Sequence, residues 1–357
     1  MIGSFEDYLR ERAQCIDKKI NEYLKDKSTD VYIESLLGKA LYKYDNIAIT
    51  EGILKPTWYL IDLGGKRWRP VLMQLVIEAL GKNPEDYIEF SIIPEIIHNA
   101  TLVHDDIEDS SETRRGAPAV HMKYGIDIAL NLGDFLFYFP VVALLDSKKL
   151  SVELKNKMLS IYVKEMLRVT VGQATDIAWH RSLVEPATIT KENYLEMVYD
   201  KTGVLARMAC QMGGALCGAD ERTIEDLGLF GATIGVAFQL QDDVLNLYES
   251  KVSSSKGGVG DDITEGKITM LVIYTLQHSS ESEKKRLLDI LGMHTRDRAL
   301  IDEAISIMTK YDAKAYSEAL QKKIVEEAWS RIDGKLKPSA AKERLKQMTE
   351  FLINRNK

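Results

Sequence analysis

Apolar residues recur at three- and four-residue spacing along most of the chain, and alternating runs of period two are nearly absent. That pattern predicts an all-α protein. Helices are expected over 5–24, 31–44, 71–80 and 92–109, then an interrupted pair across 125–145 and a long helix over 152–178. A further pair, 191–203 and 204–217, is expected to break at Gly203, and a second long apolar helix follows over 224–248. From DDITEGK onward the chain reads as amphipathic helix to its end, with turns near Gly292 and across 335–338. Gly64 and Gly65 stop one element, and Pro70 suits the first turn of the next. No linker, low-complexity tract or short repeat divides the 357 residues, so one domain over 1–357 is expected.

Two of these helices end in acids. HNATLVHDDIEDSSETRR, from His98 to Arg115, places Asp105, Asp106, Glu108 and Asp109 directly behind an apolar run. Asp105 and Asp109 stand at i, i+4, so their carboxylates share one helix face, roughly 6 Å apart. Like charges repel there, and folding alone gives no reason to place them at the end of an apolar helix. A divalent cation removes the penalty. One such motif reads equally well as a solvated acidic helix end. The helix over 224–248, however, ends in FQLQDDVLN, where Asp242, Asp243 and Asn246 repeat the arrangement. If the two acid clusters face each other across a cleft, they form a metal site of the kind helical bundles build from facing helices. No His or Cys stands at ligand spacing, so the donors suit a hard cation, Mg²⁺ before Zn²⁺.

Carboxylate-held Mg²⁺ usually serves to grip phosphate. The helix breaks supply the rest of an anion cradle: Lys66, Arg67 and Arg69 in GGKRWR, Arg114 and Arg115 after the first acids, Lys201 and Thr202 in DKTG, and Lys256 and Lys267 around the second Gly/Asp loop. Singly, each reads as a surface charge; their shared placement carries the argument. Apolar helices below a charged mouth imply a greasy cavity, which fits a diphosphate head with a hydrocarbon tail. The chemistry implied is ionisation, with cations neutralising a departing diphosphate and leaving an allylic carbocation in an apolar pocket.

A net charge of −7 argues against a nucleic-acid partner. Cys15, Cys210 and Cys217 form no CxxC pair and fit a reducing compartment, the last two as small core residues. The N-terminus has no apolar signal core, and no uninterrupted apolar run reaches the ~20 residues of a membrane span. A cytoplasmic protein without a transmembrane segment is expected. By position alone His98 reads as a core histidine, Trp179 as packing, and Gln173 with Asp176 as a pair sharing one helix face.

The motifs LGGKRWRP, HNATLVHDDIEDSSETRRGAP, VGQATDI, DKTG, FQLQDDVLN and DDITEGK, in this order over nearly the whole chain, resemble the trans-isoprenyl diphosphate synthases. The tail, from AISIMTKYDAKAYSEAL to EFLINR, is similar as well. The resemblance implies a single large helical bundle around a deep central cavity, a homodimer, and Mg²⁺-dependent head-to-tail condensation of isopentenyl diphosphate with an allylic diphosphate (dimethylallyl, geranyl or farnesyl). Asp105, Asp109 and Asp242 would hold two to three Mg²⁺ ions. Arg114, Lys201, Thr202, Gln239, Lys256 and Lys267 would contact the allylic diphosphate. Lys66, Arg69, His98 and Arg115 would hold isopentenyl diphosphate, and the released diphosphate would take the final proton. Two departures stand out: Asn246 replaces an acid common in the family, and the 256–267 loop is about a residue longer, which loosens the match at Lys256.

Product length in this family is set below the first acid motif. Thr101, Ala100 and Ile97 lie four, five and eight residues before Asp105, descending at about 1.5 Å per residue. Farnesyl synthases carry an aromatic residue here, whereas Ala100 and Thr101 are small. Geranylgeranyl diphosphate (C20) is the expected product, with a C25-or-longer synthase or a non-catalytic subunit as the alternatives. An HD-type phosphohydrolase built on His104–Asp105 would need further histidine motifs, which His121, His180, His278 and His294 do not form. A terpene cyclase would lack GGKRWR, and a non-catalytic scaffold would have lost acids or cradle.

Overall fold

A computed structural model describes residues 5–248 and 260–353. Helices account for nearly all of its regular structure, as the periodicity predicts; one hairpin joins Thr113–Arg114 to Ala117–Pro118. The chain packs as two compact units. The first comprises the chain up to Ile161 with Ala209–Asp220 and Lys337–Leu345. The second comprises Tyr162–Met208, Glu221–Leu336 and the chain from Lys346 onward.

In the first unit the helix Ile92–Glu108 forms because Ile92, Ile93, Ile96, Ile97, Ala100 and Val103 repeat at helical spacing and are buried. Each buried isoleucine contributes about 1.5–3 kcal/mol, which is how a helix whose last turn is acidic can still be anchored. Ile96, Ala100 and Val103 pack in one core with Ile16, Ile20 and Leu60, and with Leu132 and Leu136 of the helix Ile126–Tyr138. Gly133 on that helix lies against the His104 ring, where any Cβ would collide. The helix expected over 31–44 is shorter. Asp30–Leu37 stops at Gly38, whose φ of 83° leaves the helical region, and Leu41 and Tyr42 beyond it are exposed. Their apolar spacing marks no core face.

In the second unit the helix Glu221–Tyr248 packs along Ala313–Asp333, with Gln321 donating to the Ala237 carbonyl at 2.7 Å. Val236, Leu240 and Val244 share a core with Tyr194, Val198, Leu271 and Ile290. The break expected at Gly203 is a π-helical turn, Tyr199–Gly203, joining Lys191–Val198 to Val204–Leu216 without reversing the chain. Gly203 is there for closeness: a Cβ on it would sit 2.7 Å from the Ala232 carbonyl oxygen.

Among the described residues one run, Ile126–Leu145, is long and apolar enough to cross a membrane, with mean hydropathy 1.9 and 44% of it buried. A 3₁₀ turn at Phe139–Val141 divides it, Asp127 and Asp134 interrupt it, and Ala129, Leu132 and Leu136 belong to the core. One face of it belongs to the core, while Ile126, Leu130 and Tyr138 are exposed. Trp179 is buried in the second core, so its role is packing. Cys15, Cys210 and Cys217 are free thiols, and burial alone pushes the Cys210 thiol far up.

Candidate active site

The helix Ile92–Glu108 carries Asp105 in its last turn, and Asp109 caps it with a near-helical backbone, donating its N–H to the Asp105 carbonyl at 2.8 Å. Both acids are half-buried and lie on one face, as i, i+4 spacing requires. Asp106 points elsewhere: it is 1% exposed and receives the Arg114 guanidinium, with Nε at 2.9 Å. Burial still holds the Asp106 carboxyl above its usual range against that cation.

Arg114 is delivered by the hairpin. Arg115 and Gly116 form its turn with φ of 53° and 79°, the left-handed pair a two-residue hairpin demands. Arg115 reaches across to donate to the Gly64 carbonyl of the LGGKRWR loop. In that loop Arg67 adopts φ 50° and pairs with Asp17 at 2.8 Å and Glu95 at 2.9 Å, so it is a buried brace and not a phosphate ligand. Arg69 is also buried, stacked on the Trp68 ring at 4.5 Å, and its Nε has no hydrogen-bond partner among the described residues. A buried, unpaired guanidinium N–H is costly and unusual, and it is a donor of the kind an anion can engage. Burial lowers Arg69 to about 10, so it keeps its charge near neutrality. His98 is driven well below its ordinary value by burial and by Arg69, Arg115, Arg114 and Arg67. It is therefore neutral at physiological pH. The structure thus brings Arg69, His98 and Arg115 together, with Lys66 in the same loop.

In the second unit Asp243 is 3% exposed and fully engaged: Tyr194 Oη donates to one oxygen and Gln239 Nε2 to the other at 2.8 Å. Gln239 Oε1 in turn accepts from Thr202 Oγ1 at 3.2 Å. Burial first, then the charges of Asp262 and Asp242, raise the Asp243 carboxyl to about 7. Lys201 donates to Asp176 at 2.5 Å, and Lys267 lies 3.7 Å from Asp262 and also pairs with Glu265. Asn246 accepts the Asp262 N–H at 3.2 Å, which ties DDITEGK to the end of the acid helix. The asparagine has a holding role of its own. Lys256 lies outside the described residues.

Of the product-length residues, Ala100 and Ile97 are fully buried, whereas Thr101 is half-buried and donates to the His98 carbonyl at 2.8 Å. Tyr194 is the site-supporting residue that sequence reasoning missed; nothing in the local pattern joins it to an acid 49 positions away. Asp176 had a signal in its i, i+3 relation to Gln173.

The donor chemistry fits a hard cation. Asp105, Asp109 and Asp242 offer only carboxylate oxygens, and no group of three or more His, Cys, Asp or Glu forms a ready-made cage among the described residues. Mg²⁺ characteristically takes one or two carboxylates and completes its shell with water and phosphate oxygen.

The chain, helical apart from one hairpin, is a prenyltransferase of the isoprenoid synthase fold. The polyprenyl synthetase family profile matches residues 50–308, and the chain belongs to that family, the trans-isoprenyl diphosphate synthases. It is 34% identical to the short chain isoprenyl diphosphate synthase of Methanothermobacter thermautotrophicus, over 98% of both chains. It is 33% identical to the geranylgeranyl diphosphate synthase of Methanosarcina mazei, over 99% of both. The crystal structure of geranylgeranyl pyrophosphate synthetase from Pyrococcus horikoshii superposes with a TM-score of 0.83 at 30% identity, covering 99% of this chain and 98% of the other. A decaprenyl diphosphate synthase from Rhodobacter capsulatus shares the fold, with a TM-score of 0.80 at 23% identity over 98% of each chain.

Proposed function

We propose that this chain condenses isopentenyl diphosphate head to tail with dimethylallyl, geranyl or farnesyl diphosphate and releases all-trans geranylgeranyl diphosphate. The observation that carries the reading is the buried Arg69 Nε, without a hydrogen-bond partner among the described residues, close to His98 and Arg115, a donor set suited to an anion. Lys66, Arg69, His98 and Arg115 bind isopentenyl diphosphate; a neutral His98 hydrogen-bonds a phosphate oxygen without adding to the crowded positive charge. Arg114, Lys201, Thr202, Gln239, Lys256 and Lys267 bind the allylic diphosphate. Mg²⁺, two to three ions held through Asp105, Asp109 and Asp242, would neutralise the charge that grows on the departing diphosphate. That diphosphate accepts the proton lost in the last step, so no protein base is needed.

A C20 product is supported by the small Ala100 and Thr101 and by the names of two relatives. Since the fold is shared with a decaprenyl synthase, side chains and not fold decide length. Exposed apolar stripes, Ile126, Leu130 and Tyr138 on one helix and Val163, Leu167 and Val171 on another, support a homodimer. Three free thiols support a reducing, cytoplasmic setting. The test is incubation with isopentenyl diphosphate, each allylic diphosphate and Mg²⁺, followed by product-length analysis. A C20 product lost on chelation is expected; no elongation from any primer refutes the reading.

A further inference from the structure

The π turn Tyr199–Gly203 is gripped from two sides without an intervening side chain. A Cβ on Gly172, in the helix Val152–His180, would lie 2.6 Å from the Asp200 carbonyl carbon and closer still to the Lys201 nitrogen. A Cβ on Gly235, in the helix Glu221–Tyr248, would lie 2.5 Å from Gly203 Cα and 3.0 Å from the Thr202 carbonyl oxygen. Backbone therefore meets backbone on both faces. A π turn carries one residue more than the helix around it, a rare form frequent at functional sites.

The first two residues of the turn are held by arginines. Asp200 accepts from Arg168 Nη1 at 2.8 Å, and the Tyr199 hydroxyl accepts from Arg207 Nη1 at 2.6 Å. Both guanidinium groups lie 5.7 Å from the Tyr199 ring centre. Arg207 is itself fixed by Glu165 and Glu225, each at 3.0 Å. The next two residues are the working ones: Lys201 extends to Asp176 and Thr202 to Gln239. A backbone rotation at Asp200 would swing Lys201 away from that partner. The Arg168 side chain is 39% exposed, whereas Asp200 is buried, so the pair opens to solvent on its arginine side only.

We propose that Arg168 and Asp200 are positioning residues whose ion pair fixes the rotation of the π turn, so that Lys201 and Thr202 are presented to the allylic diphosphate. The inference rests on the allylic site proposed above. Arg168→Gln and Asp200→Asn are each expected to raise the KM for farnesyl diphosphate about tenfold, leaving that for isopentenyl diphosphate within about twofold. Thermal midpoints are read alongside, since losing Arg168 leaves Asp200 buried without its cation, and Arg168→Lys should recover most of the KM loss. Calorimetric binding of farnesyl thiolodiphosphate, an unreactive allylic diphosphate, with Mg²⁺ should weaken by the same factor. That weakening supports the inference even where no prenyl product forms, so the two readings fail separately. An unchanged allylic KM, both KM values rising together with a lowered midpoint, or no thiolodiphosphate binding to the parent protein overturns it.

Discussion

The Tyr194 hydroxyl donates a hydrogen bond to the Asp243 carboxylate, the second acid of DDVLN, from a helix that begins at Lys191, 52 residues earlier, behind a capping box at Thr190. With Gln239 on the other oxygen, Asp243 has both acceptor sites engaged inside the protein. The doublet thus divides its work, with Asp243 anchoring the helix end that carries Asp242. Removing the phenol leaves a buried carboxyl oxygen without its donor. Tyr194→Phe is expected to lose about 1–3 kcal/mol of stability, read as a lower denaturant midpoint at unchanged slope. An unshifted midpoint would show that the bond contributes nothing.

His98 makes stability depend on pH. Its folded value lies below the ordinary 6.5 because burial and four arginines disfavour the imidazolium. The unfolded chain therefore binds a proton more readily than the native one as pH falls through 6.5. The stabilisation is complete above that pH and is lost below it, by at most about 1.4 kcal/mol per pH unit. His98→Gln, which cannot titrate, should show a flatter stability profile between pH 7.5 and 5.5. Parallel profiles for the two proteins would rule the effect out.

The acid motifs, their order and the helical architecture were legible in the sequence because each depends on residues a few positions apart. Asp105 and Asp109 needed only the helical repeat, and Gly64–Gly65 with Pro70 needed only turn chemistry. What was not legible depends on distant partners. Arg67 and Arg69 look alike in GGKRWR, yet one is neutralised by Asp17 and Glu95 and the other is left with an unsatisfied Nε. Gly203 reads as a breaker, since nothing local announces that Ala232 will lie against it. The run over 38–44 misled for the opposite reason: its spacing is helical, but no surface covers it.

Arg69 separates stability from function. Its buried, unpaired Nε is a cost to the folded protein that only a bound anion offsets. Arg69→Gln is expected to raise the KM for isopentenyl diphosphate by tenfold or more, about 1.4 kcal/mol, with the allylic KM little changed. Stability without substrate should hold or rise. A fall in stability with an unaltered isopentenyl KM would make Arg69 a purely structural residue.

Ala100 tests the product-length reading against packing. It is fully buried, in one core with Ile96, Val103, Leu132 and Leu136. A phenylalanine there has two destinations. If the added ring enters an elongation cavity, Ala100→Phe should fold with little penalty and stop the product at C15 instead of C20. If the site is solid core, the same change overpacks it and costs about 1–3 kcal/mol. Thr101→Phe distinguishes the cases, because Thr101 is half-buried and its hydroxyl bonds the preceding turn at the His98 carbonyl. Product length and thermal midpoint measured on both variants decide between them. Shortened product from both, with stability retained, places the wall of the growing chain on this face of the helix. Destabilisation of the Ala100 variant with unchanged C20 product from Thr101→Phe moves that wall to another helix.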